Sequence, residues 1–188
     1  MGRPSRKDKV VVPDYSEGLQ LKIDDDDPRF NSALARGLAI LRSFHIDQRF
    51  LANSDIAERT GIPKPTVSRL TYTLTQLGYL RYREDLGKYE VAAGVVGLAY
   101  PYIAKQVVPS VARPFMLELA SETATNVGLG VNEGLSMLYL EYAPGDPKSN
   151  RRQRVGFRVP VVRTAMGRAC VAAMPPEQQK DVLELMQL

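Results

Sequence analysis

Between Asn53 and Leu77 the apolar residues fall at helical spacing twice, with a glycine and two prolines between the two runs. Ile56 and Ala57 mark the first run. Val67, Leu70, Leu74 and Leu77 mark the second. Ser54 or Asn53 can cap the first helix, and Asp55 and Glu58 put negative charge where its dipole favours it. Gly61 suits the left-handed exit of a helix end, and Pro63 stops the first helix. The second is expected to restart at Pro65, whose fixed φ and missing N–H fit a first helical position. Upstream, Ser32 can cap a helix running to about Phe44, with Leu34, Leu38, Leu41 and Ile40 facing inward. Beyond Gly78 the period changes to two. Leu80, Tyr82, Tyr89 and Val91 alternate with Arg81, Arg83, Lys88 and Glu90 across the turn 84–87, which predicts a hairpin with one apolar and one mostly basic face.

The second half reads differently. Val95, Val96, Leu98, Ala99, Tyr102 and Ile103 make an apolar linker over 93–108, with Pro101 able to kink it. A helix is expected from about Pro109 to Thr123, with Pro114 in an early turn. A second hairpin follows, Asn126–Asn132 and Leu135–Tyr142 around Glu133-Gly134, in which Val127, Leu129 and Val131 alternate with Gly128 and Gly130. A looser strand over Arg154–Val159 and helices near 165–174 and 176–187 complete the chain. The predicted class is α+β: three helices and a hairpin, a linker helix, then a partial α/β unit with an antiparallel sheet.

A helix, a glycine-bearing turn and a second helix with aliphatics on its inner face match a helix-turn-helix, and the hairpin after it is placed as the wing of a winged helix. The competing arrangement is an αα-hairpin of a helical core with an ordinary solvated hairpin beside it. The outer face of the second helix favours the first reading. Thr66, Ser68, Arg69, Tyr72, Thr73 and Gln76 offer hydrogen-bonding groups and a guanidinium with almost no acid, the mix that base edges and phosphates need. With Ser54, Lys64, and Arg83 and Lys88 at the wing, the candidate DNA-contacting set is Ser54, Lys64, Thr66, Ser68, Arg69, Tyr72, Thr73, Arg83 and Lys88.

Charge sharpens that picture. The 188 residues carry a net +4, but residues 1–28 are net −2, residues 29–93 net +4 and residues 94–188 net +2. The excess therefore lies around the helix-turn-helix. Residues 1–28 mix five basic side chains, among them Arg3, Arg6, Lys7 and Lys9, with the acidic run Asp24–Asp27 and little to bury, as a disordered arm would. The basic run Arg151-Arg152-Gln153-Arg154 is read as a solvated loop. No apolar run approaches the ~20 residues of a membrane helix. Cys170 is the single cysteine, which excludes an intrachain disulfide and fits a reducing cytoplasm. It is expected to be a small buried hydrophobe, and His45, the single histidine, a surface residue at a helix C-terminus. With scattered carboxylates and no metal-ligand spacing, no cofactor or metal is expected, and an enzyme built on the α/β half lacks a nucleophile–base pair.

The run from Ser32-Ala-Leu-Ala-Arg-Gly-Leu-Ala-Ile-Leu through Gly61-Ile-Pro-Lys-Pro-Thr-Val-Ser-Arg-Leu to Leu77-Gly-Tyr-Leu resembles the DNA-binding domain of the IclR family of bacterial transcription regulators. The resemblance continues through Arg113-Pro114, Ala120-Ser-Glu-Thr, Val159-Pro160 and Thr164-Ala-Met-Gly-Arg-Ala, covering roughly residues 30–188. Pro65 departs from it, standing where the family usually has a small hydroxylated residue. The resemblance implies a DNA-binding domain over 29–92 and an effector-binding domain over 109–188. Its sheet would be completed by strands this chain does not contain, so the chain is expected to hold an effector weakly or not at all. It further implies an operator DNA partner, a small-molecule effector that is often a carboxylate, and a homodimer or dimer of dimers joined partly through 93–108. The family's ligand-holding backbone N–H groups correspond to Thr164, Ala165, Met166 and Gly167. Thr164 can cap the helix there, leaving N–H groups and a positive dipole end for an anion, although a plain capped end would look the same. A regulator without any ligand is the remaining alternative.

Overall fold

The computed structural model describes residues 28–45, 48–146 and 155–185. The sequence readings on 1–27 and on Arg151-Arg152-Gln153-Arg154 fall outside them. The described residues divide into two compact units, one reaching Pro101 and the other starting at Tyr102. That division falls inside the expected linker, 93–108. The class is α+β, with a two-stranded and a three-stranded antiparallel sheet among the described residues.

The first unit contains helices α1 (Ser32–Arg42), α2 (Asn53–Thr60) and α3 (Lys64–Gln76), then strands β1 (Leu80–Arg83) and β2 (Lys88–Val91). Its core is Ala39, Ile40, Leu51, Ile56, Ile62, Val67, Leu74 and Leu80. Gly61 takes φ 67°, the left-handed value expected, and its N–H reaches Ala57 O to close α2. The hairpin register is Leu80↔Val91, Arg81↔Glu90, Tyr82↔Tyr89 and Arg83↔Lys88, and Leu51 joins β2 as a third rung through two backbone bonds with Tyr89.

Several local expectations are corrected. Asn31, not Ser32, caps α1, its side chain accepting from Leu34 N–H. Leu34 and Leu38 are exposed while Ala39 and Ile40 are buried, because α2 and α3 pack against the 39–40 side of the helix. The α2 cap position is Ala52, which has no capping side chain. Asp55 supplies the acceptor instead, taking the Ala52 N–H at 2.9 Å. α3 starts one residue before Pro65, at Lys64. Leu77 is 61% exposed at the α3 C-cap, and Thr71 takes the inward place, its hydroxyl satisfied by Val67 O and Asn53 Oδ1. Glu90, expected on the mostly basic face of the hairpin, is buried there at 4% exposure.

Helix α4 (Gly94–Ile103) keeps its helical path through Pro101 and has no buried residue. The expected linker helix over 93–108 thus ends at Ile103, and α5 (Val107–Thr123), expected from about Pro109, begins two residues earlier after a break at 104–106. In the second unit strands β3 (Val127–Glu133), β4 (Ser136–Ala143) and β5 (Arg158–Pro160) lie in that order, followed by α6 (Ala165–Ala172) and α7 (Pro176–Leu185). The third strand is thus shorter and later than expected. Met116 and Ala120 of α5 pack with Ala143, Val127 and Leu129, and Arg113 reaches Glu141 at 2.7 Å. A second cluster joins Met137, Tyr139, Val159 and Val161 to Tyr142, and to Met166, Cys170 and Val171 of α6. The register shifts between Leu129 and Gly130, whose partners are Glu141 and Tyr139. Leu140 is therefore extra, a bulge that lets Tyr139 and Tyr142 share one side of the sheet although they are three residues apart.

Candidate functional site

The inner side of α3 is anchored by Val67, Thr71 and Leu74, so its outer side must face away from the core. Ser68, Arg69, Tyr72, Thr73 and Gln76 are exposed there, and Tyr72 is 64% accessible. Lys64 is exposed at the N-terminal end, and Thr66 is half-buried. Ser54 is exposed on α2, 3.4 Å from Asp55 Oδ1. The predicted set on α2 and α3 is therefore solvent-facing, with Thr66 the most enclosed member. Thr73 spends its hydroxyl proton on Arg69 O at 3.0 Å, which leaves its oxygen as an acceptor.

The wing pair behaves less simply. Arg83 and Lys88 are register partners beside the turn, both half-buried. Arg83 is already engaged, its Nε and Nη2 donating to the two Asp85 oxygens at 3.0 and 2.9 Å. That hydrogen bond holds the Asp85 carboxyl below its usual range and raises the Arg83 guanidinium. A depressed carboxyl pKa means the pair stays charged above the unfolded value and is lost only as pH falls through the lower folded one. It is intact at neutral pH. Arg83 also lies 5.6 Å from the Phe50 ring centroid, and Arg49 lies 5.1 Å from it. Sequence reasoning missed Arg49 and Phe50 as neighbours of the wing, because the Leu51–Tyr89 bridge that brings them there is not local.

In the second unit Thr164 caps α6 as expected, accepting from Gly167 N–H at 3.0 Å and donating to Pro160 O at 3.2 Å. One expectation changes with it: the Gly167 N–H is taken by the cap, and Ala165 and Met166 remain as the N–H groups without an intrahelical acceptor. Ala165 is exposed and Met166 half-buried. The approach is close on both sides. A Cβ on Gly167 would run into the Val161 backbone, and one on Gly130 would stand 2.8 Å from Met166 Sδ. Thr164→Ala is expected to cost about 0.5–2 kcal/mol through loss of the cap, checked by chemical denaturation. Cys170 is half-buried, not fully buried as expected. Sequence reasoning also missed the aromatic group here. Tyr139 and Tyr142 meet edge-on at 5.9 Å, Phe157 lies 6.4 Å from Tyr139, and the Tyr142 hydroxyl is enclosed without a hydrogen-bond partner. Burial, then the neighbouring Tyr142, pushes the Tyr139 phenol up. Among the described residues no group of three or more His, Cys, Asp or Glu could hold a metal ion, and no helix is long and apolar enough to cross a membrane.

Residues 33–84 match the IclR helix-turn-helix domain, and residues 100–188 match the C-terminal domain of bacterial transcriptional regulators of the IclR type. The chain belongs to the IclR family. The HTH-type transcriptional regulator TsaQ1/TsaQ2 of Comamonas testosteroni is 35% identical over 156 residues, 81% of this chain and 55% of that protein. The crystal structure of an IclR family regulator from Brucella abortus is 37% identical with a TM-score of 0.73, covering 95% of this chain and 65% of its own. An IclR homologue from Microbacterium hydrocarbonoxydans, solved with 4-hydroxybenzoate, is 27% identical with a TM-score of 0.65, covering 81% of this chain and 63% of its own. The chain thus spans between about half and two thirds of these relatives.

Proposed function

We propose that this chain acts in a sequence-specific DNA-binding transcription regulator controlled by a small carboxylate effector. The observation that carries the reading is the outer side of α3, polar and cationic over a back anchored at Val67, Thr71 and Leu74. In this reading α3 enters the major groove, with Arg69 and Tyr72 one turn apart on the reading face, while Arg83 and Lys88 meet phosphates beside it. A homodimer or dimer of dimers supplies two reading helices about one helical turn (~34 Å) of DNA apart. The exposed Val96, Leu98 and Tyr100 of α4 support a second copy as their cover. For the effector, the family relation and the free N–H groups of Ala165 and Met166 support a carboxylate at the α6 N-terminus. The bound 4-hydroxybenzoate of the Microbacterium relative supports an aromatic one. The unpartnered Tyr142 hydroxyl belongs to the same cluster as Met166 and offers a further hydrogen bond.

The test starts with DNA selected from a random library by the full chain. On the selected duplex, Arg69→Ala is expected to cost ~1–3 kcal/mol and relax specificity at one position. Lys88→Ala is expected to weaken all duplexes alike and to lower the salt dependence. Failure to enrich any sequence, or unchanged binding by Arg69→Ala, would overturn the reading of α3.

A further inference from the structure

The outer face of the hairpin carries a group of charges that neither the α3 reading nor the Arg83–Lys88 pair absorbs. Glu90 is 4% exposed. Its Oε2 accepts from Arg49 Nε at 2.8 Å, with Arg49 Nη2 also at 2.8 Å. Its Oε1 has no hydrogen-bond partner and lies 3.7 Å from Arg81 Nη1. Arg49 and Arg81 approach this one carboxylate from different segments, Arg49 from the segment before α2 and Arg81 from β1, where it is the register partner of Glu90. Phe50 then gathers a third guanidinium, since Arg49 and Arg83 both lie within 5.6 Å of its ring centroid.

Exposure separates the two signs of charge. The side chains of Arg49 and Arg81 are 71% and 68% exposed, whereas that of Glu90 is 5% exposed. A guanidinium has five N–H donors, and Glu90 accepts one from Arg49, whose Nη2 stands in ion-pair contact, and makes no hydrogen bond with Arg81. The acids of the same hairpin are Glu84, exposed in the turn, and Asp85, held by Arg83. A buried carboxylate is a costly feature for an ordinary solvated hairpin. Here it holds one arginine by a hydrogen bond and an ion pair and draws a second near, with their outer N–H groups facing solvent. Exposed guanidiniums with unspent donors match the charge and acceptor groups of phosphodiesters.

We propose that Arg49 and Arg81, gathered by Glu90 and flanked by Arg83 on Phe50, form a second phosphate-binding surface for duplex DNA, apart from the α3 face. Glu90 is its positioning residue. The proposal rests on the DNA-binding reading above but not on which base pairs α3 reads. It predicts contacts that are indifferent to sequence, since phosphates carry none.

The experiment measures binding of the full chain to a random-sequence 30-base-pair duplex across a series of salt concentrations, by fluorescence anisotropy. Each phosphate contact contributes about 0.9 to the slope of log affinity against log salt. Arg81→Ala and Arg49→Ala are each expected to reduce the slope by about one, and the double variant by about two. Arg81→Lys keeps the charge and is expected to keep the slope. Glu90→Gln leaves both arginines in place but loosens them, so the slope is retained while affinity falls several-fold at every salt. Thermal melting of each variant reports folding separately, and Arg81, with no hydrogen bond to Glu90, is the variant least exposed to a folding defect. Slopes unchanged in Arg81→Ala and in the double variant, with wild type still binding steeply, overturn this proposal alone and leave a structural ion cluster. A wild type that binds no duplex overturns the DNA-binding reading as well.

Discussion

Ile56→Ala is expected to destabilise the first unit by ~2–5 kcal/mol, out of the ~5–15 kcal/mol typical of a whole domain. Ile56 is fully buried and belongs to the core that also holds Ile40, Leu51, Val67 and Leu80, residues from three helices, the segment before α2 and strand β1. Truncation removes apolar contact and leaves a cavity where helix and sheet cannot both relax. DNA affinity should fall with the folded fraction, not through any lost contact to DNA. Leu77→Ala serves as the contrast: at 61% exposure its cost should stay within about 0.5 kcal/mol. Urea denaturation followed at the far-ultraviolet helix signal measures both. A loss below 1 kcal/mol for Ile56→Ala would show that this position does not close the core.

Gly167→Ala is the second large effect, and here two terms oppose each other. Alanine is the better helix former by roughly 1 kcal/mol. Against that, the added methyl would collide with the Val161 carbonyl oxygen and stand 2.5 Å from Val161 Cα, both backbone atoms that cannot swing aside. Overpacking of this kind costs typically 1–3 kcal/mol, and a backbone obstacle belongs at the upper end. A net loss is expected, together with displacement of the α6 N-terminus and faster exchange of the Arg168 amide, which donates to Thr164 O at 3.0 Å. An increase in stability would mean that α6 does not lie against Val161 as described.

How much of this was legible beforehand depends on the range of the forces involved. The winged helix-turn-helix was readable because each of its signals is local. Gly61 needs a left-handed φ, Val67 and Leu74 repeat at helical period, and Leu80 to Val91 alternates at period two around a turn. The exposed residues of α3 were readable as the complement of that stripe. Thr164 was readable as a cap for the same reason, its partner Gly167 being three residues away.

Where the reading went astray, a distant element had decided the outcome. Leu34 and Leu38 have the right period for a core and yet are exposed, because the direction in which α1 turns its apolar side is set by where α2 and α3 lie. Glu90 looked like one more solvated charge on a strand. Its burial requires Arg49, 41 residues away in sequence, brought alongside by the Leu51–Tyr89 bridge. Tyr139 and Tyr142 share a side only because Leu140 bulges, and a bulge is fixed by the pairing of two strands, which neither strand encodes alone.

The sequence by itself determined the element types, the helix-turn-helix with its hairpin, the exposed polar face of α3 and the capped start of α6. Each follows from backbone conformation and periodicity within a few residues, where sterics and single hydrogen bonds dominate. Only the tertiary structure decided which side of α1 is buried, that Glu90 gathers the wing arginines, and that an aromatic pair stands beside Met166. Those outcomes depend on contacts between segments tens of residues apart. Local propensity is indifferent among them, and burial and charge pairing select one.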